Sequence, residues 1–281
     1  MTTERSPQRA DGWTAAVRQR LGLGRLLPLG GAVDGAWIAE TAAASVLRGA
    51  TVPGAVLGTL RIGPAREATR TDTRAAGRPV GTGGPAGAGV PAEAGPAVPP
   101  APPSGLPPGP LRIEAEFRAA GDRPLPDAAA ALRAALVAAA AARLGLEIAE
   151  VDLRVTALLD DAAPDQVTDP GAEPSPPDPA PVAKADTKAE GPAAVAAAGV
   201  PGVVSLTRVL GGAVHTAEDH IRVEVATAGD HRALDVARSV RTAVSAATAD
   251  RLPVSVLVTD VVEAGGDTRR PMLPARSQPV R

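Results

Sequence analysis

The chain carries two imperfect copies of one short pattern, and a repeat constrains a fold more tightly than local propensity does, because each copy must build the same unit. VPGAVL at 52–57 returns as VPGVVS at 200–205. An alanine-rich stretch suited to a helix precedes each, at 38–49 and at 193–198. Next come LRIEAEFR at 111–118 and IRVEV at 221–225. In the first, apolar Leu111, Ile113, Ala115 and Phe117 alternate with charged residues; in the second, Ile221, Val223 and Val225 alternate with Arg222 and Glu224. A period of two marks a half-buried strand. Both strands run into a Gly-Asp turn, Gly121 with Asp122 and Gly229 with Asp230.

A helix follows in each copy. Leu132, Leu136, Ala140 and Leu144 recur every fourth residue in the first, and Val236, Val240 and Val244 in the second, which gives each helix one apolar stripe to lay on a sheet. Asp127 after Pro126 is the expected N-cap of the first helix, and Gly145 its expected stop. VDLRVT at 151–156 and VSVLVT at 254–259 close the copies as alternating strands. The expected fold class is therefore α+β: two small modules, each with a helix, a three-stranded, mostly antiparallel sheet and a covering helix. The first module spans 34–62 plus 111–160, and the second spans 192–263.

Composition supplies what lies between. Thirty glycines and thirty prolines in 281 residues exceed the roughly 12% share of an average globular protein. They concentrate in 64–110, inside the first copy, and in 161–191, between the copies, so both segments are expected to be disordered linkers rich in Pro, Gly and Ala. A hairpin tip accommodates such an insertion because loop-closure entropy grows only logarithmically with length. Residues 1–30 read as an N-terminal extension and 264–281 as a disordered tail. Lysine is nearly absent while arginine and alanine abound, the imprint of a GC-rich genome, so alanine runs carry little information by themselves.

Charge and residue types exclude several function classes. The formal net charge is −2 with both signs interspersed, which provides no electrostatic drive toward nucleic acid or an anionic membrane. With no cysteine there is no disulfide, thiolate metal site or thiol nucleophile. No run of about 18 apolar residues suggests a bilayer-spanning helix, and the broken apolar stretch at 21–29 is a poor signal peptide. The expected location is the cytoplasm. Residues 13–27 could form a basic amphipathic helix, with Trp13, Val17 and Leu21 on one side and Arg18, Arg20 and Arg25 on the other.

Each chemical motif has a blander reading that serves better. His215, His220 and His231 lie near Glu218, Asp219 and Asp230, but on different elements and without HExxH spacing, so no metal is expected. GTGGPAG at 81–87 and GLG at 22–24 lack the strand and helix that would hold backbone amides around a phosphate. Asp160 and Asp161 lead into a linker where nothing desolvates them. GVPG at 199–202 leads into a strand rather than joining two helices as a KH-type RNA loop does, and Phe117 alone cannot form a stacking platform. No catalytic, cofactor-binding or metal-ligating residue is expected, nor any cofactor, and the chain reads as a non-enzyme.

The second copy, with VPGVVSL at 200–206, IRVEV at 221–225, LDVARSVRTAV at 234–244 and VSVLVTDV at 254–261, resembles the alkaline shock protein family of Gram-positive envelope stress proteins; the first copy follows the pattern more weakly across 38–62 and 111–158. The resemblance implies a non-enzymatic scaffold or interaction protein, held near the cytoplasmic face of the membrane through a partner. It implies as partner a membrane-anchored protein or an alkaline-shock paralogue, with no direct nucleic acid, and brings no catalytic residues. Self-association through sheet or helix surfaces is one way such modules are satisfied. The alternative is a regulatory module that binds RNA or a small ligand.

Overall fold

A computed structural model of the chain describes residues 22–50, 52–66, 99–159, 190–249 and 252–263. The expectations for 1–21, 81–87, 160–189 and 264–281 lie outside the described residues, as does 67–98 of the insertion. The elements in chain order are β1 (Leu26–Leu29), β2 (Ala36–Ala39), α1 (Glu40–Arg48), β3 (Ala55–Pro64), β4 (Leu111–Ala120), α2 (Leu125–Ala139) and β5 (Ile148–Leu159). There follow α3 (Pro192–Ala198), β6 (Val203–Leu206), β7 (Val214–Thr216), β8 (Ile221–Ala228), α4 (Ala233–Ala247) and β9 (Val254–Val262). The architecture is mixed α+β, with two sheets.

The smaller sheet has the order β3-β4-β5, and the larger the order β1-β2-β9-β8-β6, with β7 also on β8. In both, a hairpin-type pair is antiparallel, β3 with β4 and β6 with β8, while the strand reached through a helix is parallel, β5 to β4 and β9 to β8. The expectation of mostly antiparallel sheets is corrected here: a strand reached through a crossover helix re-enters the sheet running the same way.

The strands before α1 depart from the expected boundaries. The helix expected over 38–49 begins at Glu40, and β2 immediately before it pairs in parallel with β9 of the larger sheet. Residues assigned by the repeat to the first module thus hydrogen-bond to the far end of the chain. β1 pairs antiparallel with β2, and its outer edge meets the proline-rich segment, with a bridge from Leu26 to Gly105 and a hydrogen bond from Leu106 N–H to Leu26 O at 2.8 Å. The Trp37 indole N–H donates to Leu106 O at 3.3 Å. The last part of the 64–110 insertion is therefore packed, because an edge strand and an indole both need hydrogen-bond partners.

One hydrophobic cluster unites both sheets. α1 and α4 lie on β9, α3 packs on α4, and α2 lies on β5. The expected stripe of Leu132, Leu136, Ala140 and Leu144 is buried. Asp127 sits in the first turn without capping it; α2 starts two residues earlier, at Leu125, with Pro126 tolerated because N–H groups there have no intrahelical acceptor. The helix then widens into a π-turn over Ala140–Leu144 and stops at Gly145, whose φ is 89°. A Cβ at Gly145 would lie 2.5 Å from the Leu234 Cβ, so glycine there permits both the turn and the approach of α4. Among the described residues, Leu125–Leu144 is long and apolar enough to cross a membrane by length and composition. Its alanines carry that composition; Leu132, Leu136 and Leu144 lie in the core, while most of the rest of the helix is not buried.

β8 and β9 are buried on both faces, where the alternation predicts one. The segment 207–213 covers the second face: Thr207 N–H donates to Glu224 O at 3.0 Å and Glu224 N–H to Ala213 O at 2.8 Å. Glu224 is fully buried, and its Oε2 accepts from the N–H groups of Val209 at 2.7 Å and Leu210 at 3.0 Å, with the Arg222 guanidinium 3.6 Å from Oε1. Such a carboxylate fixes the covering loop by satisfying amides that would otherwise be buried without acceptors. Glu224→Ala is expected to lower stability by about 3 kcal/mol, and Glu224→Gln by less, since the amide oxygen still accepts; urea unfolding followed by circular dichroism measures both.

Candidate functional site

The surface with the most chemistry is the open face of the small sheet. In β4 the inward residues Leu111, Ile113, Ala115, Phe117 and Ala119 are buried, which turns Arg112, Glu114, Glu116 and Arg118 outward. The β4/β5 register places Glu150 beside Arg112, Asp152 beside Glu114 and Arg154 beside Glu116. Arg112 organises this face: Nη2 lies 2.7 Å from Glu114, Nε lies 3.7 Å from Glu150, and Nε hydrogen-bonds Asp152. The Arg66 backbone N–H donates a hydrogen bond to Glu150 at 3.2 Å, and its guanidinium lies 3.9 Å from Asp152.

Two adjoining cavities of about 300 and 230 Å³ share Arg61, Arg112 and Glu114, and so make one trough. The smaller also holds Glu40, whose carboxylate accepts from Ile62 N–H at 2.9 Å and Arg25 N–H at 3.2 Å. Opposite charges side by side suit hydrogen bonding to peptide or to another mixed surface. They suit a phosphate backbone less, since that selects unmatched cations.

The histidines lie elsewhere. The β7/β8 pairing brings the rings of His215 and His220 to 6.5 Å between centroids, at a 60° tilt. His220 Nδ1 bonds its neighbour Asp219 at 2.7 Å and His231 Nδ1 bonds Asp230 at 2.8 Å, and these bonds hold both carboxyls below the usual carboxylate range. Among the described residues no three of His, Cys, Asp and Glu gather as a metal-binding group. Gly202 of GVPG turns into β6 and packs against the His231 ring, and Phe117 points into the core, so neither faces a ligand. Gly24 of GLG packs on Glu40.

The second feature is a pair of corresponding strand edges. In both parallel pairs a bulge interrupts the register at the same step: Phe117 faces Val155 and Arg118 faces Ala157, while Val225 faces Val258 and Ala226 faces Asp260. The skipped residue is a threonine each time. Thr156 Oγ1 donates to Phe117 O at 3.3 Å, and Thr259 Oγ1 donates to Val225 O at 3.2 Å. The outer edge of β9 is occupied by β2, whereas among the described residues β5 ends its sheet and pairs with β4 alone. On that open edge the Val151 carbonyl accepts from Arg133 Nε at 3.2 Å, and Val155 and Leu158 are 38% and 58% exposed. Alternation marks the outward charges in sequence, but an edge depends on which strands pair, which no local pattern records.

The hairpin that fills the β9 edge is clamped by charge. Asp34, between β1 and β2, receives Arg238 Nε at 2.8 Å and Nη2 at 3.1 Å, together with Gly31 N–H at 2.8 Å. The Arg238 hydrogen bonds, reinforced by Gly31 and the nearby Arg241, hold the Asp34 carboxyl below its usual range against the opposing effect of burial. No protein-family model, curated protein or solved structure matches the chain.

A carboxyl whose folded pKa is depressed stabilises the fold at pH values above its unfolded pKa, and that stabilisation is lost as pH falls through the folded one. Asp34→Asn is therefore expected to cost about 1–2 kcal/mol at neutral pH. The gap to the parent should begin to narrow below about pH 4, where the unfolded carboxyl takes up its proton, and should close as pH falls through the lower folded value. Unfolding of both proteins at pH 7 and at pH 3 measures the difference.

Proposed function

We propose that the chain is a non-enzymatic scaffold or interaction protein of the alkaline-shock type, acting near the cytoplasmic face of the membrane through a protein partner. The observation that carries the reading is the small sheet itself, an open face of arginines and carboxylates on which Arg112 and Arg66 meet acids, bordered by a strand edge without a partner among the described residues. That surface can bind polypeptide and has no group suited to activating a substrate. Its central cation, Arg112, is opposed by Glu114, Glu150 and Asp152, which disfavours the alternative of a module recognising RNA.

The reading also holds that the two halves are degenerate copies of one module, and three pairs of features support it. The threonine bulges correspond, as described. Val52-Pro53-Gly54 and Val200-Pro201-Gly202 each turn through a glycine of positive φ, 76° and 87°. From those turns Ala120 N–H bonds Gly54 O at 2.7 Å and Ala228 N–H bonds Gly202 O at 2.8 Å. Both alanines directly precede the Gly-Asp turn, so the correspondence extends through the whole strand.

The test is an affinity pulldown of the tagged full chain from gently lysed native cells, with and without envelope stress, read by mass spectrometry beside a membrane-pelleting assay. Enrichment of a membrane-anchored protein or an alkaline-shock paralogue, with part of the chain in the pellet, is the expected result. A chain that stays wholly in the supernatant and retains RNA or a metabolite would replace the scaffold reading with the ligand-binding one.

A further inference from the structure

Among the described residues the edge of β5 carries no partner strand, where the corresponding edge of β9 carries β2. β9 carries β8 on one side and β2 on the other, so this type of edge accepts an added strand within this very protein. Between its irregularities near Ala149 and Thr156, β5 runs regularly through 150–155, long enough for a short ladder.

We infer that the β5 edge pairs antiparallel with β5 of a second copy of this chain, about a twofold axis at Leu153, joining two three-stranded sheets into one of six strands. The register follows from polarity and charge. Alternate residues of an edge strand turn both N–H and C=O outward; the Val151 carbonyl, taken by Arg133 on α2, marks 151, 153 and 155 as the outward set. Twofold pairing that matches two or more members of this set within the regular stretch leaves axes at residues 152, 153 or 154. An axis at 152 sets Asp152 against its own copy and one at 154 sets Arg154 against its own copy; like charges directly opposite are destabilising.

The axis at Leu153 instead places Asp152 opposite Arg154 of the second copy, and Arg154 opposite its Asp152. It also sets Val151 against Val155, covering a valine that the single chain leaves 38% exposed. The pairing displaces Arg133 from the Val151 carbonyl and supplies a backbone N–H in its place. A second copy thereby becomes one partner of the scaffold proposed above; the inference rests on that reading for its purpose and on the β5 register for its geometry.

Sedimentation velocity of the full chain over a concentration series is expected to show a monomer–dimer equilibrium. Arg154→Asp, which confronts Asp152 with a second carboxylate, is expected to weaken dimerisation about tenfold. The exchange Asp152→Arg with Arg154→Asp restores opposite charges across the axis and is expected to recover most of the loss. Because the chain has no cysteine, Leu153→Cys offers a second measurement: hydrogen-bonded pairs lie about 5.5 Å apart between Cα atoms, within disulfide range. Mild oxidation should then yield a covalent dimer, while Val204→Cys, exposed on β6, stays monomeric.

A chain that is monomeric at every concentration overturns the inference, as does a dimer indifferent to Arg154→Asp or not rescued by the exchange. β5 amides protected from hydrogen exchange in such a monomer would assign the edge to a segment of the chain itself. The pulldown reads the scaffold independently: a monomer that still brings down a membrane protein removes this contact and leaves the function standing.

Discussion

Everything else in this fold depends on the parallel pairing of β2 with β9. Residues 36–38 hydrogen-bond along 256–258, so a strand at the start of the first half becomes an interior strand of the sheet that ends the chain. The pairing places α1, which begins at the next residue, directly on β9 beside α4. It thereby fuses two small cores, neither with much aromatic area to bury, into one cluster. A core of valine, leucine and alanine gains less per side chain, and sharing it between two sheets is how such a composition reaches a useful size.

The contacts at the junction follow from that fusion. The π-turn of α2 sits against α1 and α4; Arg143 reaches Gly229 O and Glu263, and Arg232 Nε reaches Ala141 O at 2.9 Å. These bonds join the exit of one covering helix to the entry of the other. They are partly exposed and individually weak. They tie the two helices together at a junction where Leu144, Leu146 and Leu234 are buried, and that buried area supplies the larger share of the stabilisation.

Much of this was legible in the sequence, and the failures have physical causes. The alternation of 111–118 identifies the buried Phe117 and the outward Arg112, Glu114 and Glu116, because one face of β4 really is open. The same alternation in 221–225 misleads for Glu224: the loop 207–213 covers that face, and a carboxylate that accepts two backbone amides looks, in one dimension, like a solvated one. Residues 99–107 read as linker because proline cannot donate to a ladder, yet their carbonyls and the Leu106 amide serve the edge of β1 and the Trp37 indole. The Asp34–Arg238 clamp spans most of the chain and has no local signature. The candidate surface was half legible, its charges from periodicity and its free edge not at all, since edges are a property of topology.

The bulge threonines explain why the two edges resemble each other and why they differ. At each bulge the threonine hydroxyl bonds the carbonyl beside the register shift, Phe117 O in one and Val225 O in the other. Around Thr259 the bend is buried, with Thr207 Oγ1 2.8 Å away, and β2 closes the edge beyond. Around Thr156 the same bend is exposed, and only Arg133 blunts the carbonyl row. Unpaired edges are ordinarily protected by charge, bulges or cover; β9 has cover, whereas β5 has a bulge, one arginine and a charge pair whose order, acid before base, is complementary to itself when reversed. Among the described residues the β5 edge therefore keeps hydrogen-bonding capacity that β2 fills on β9, and beside it lies the trough where Arg112 already meets three carboxylates.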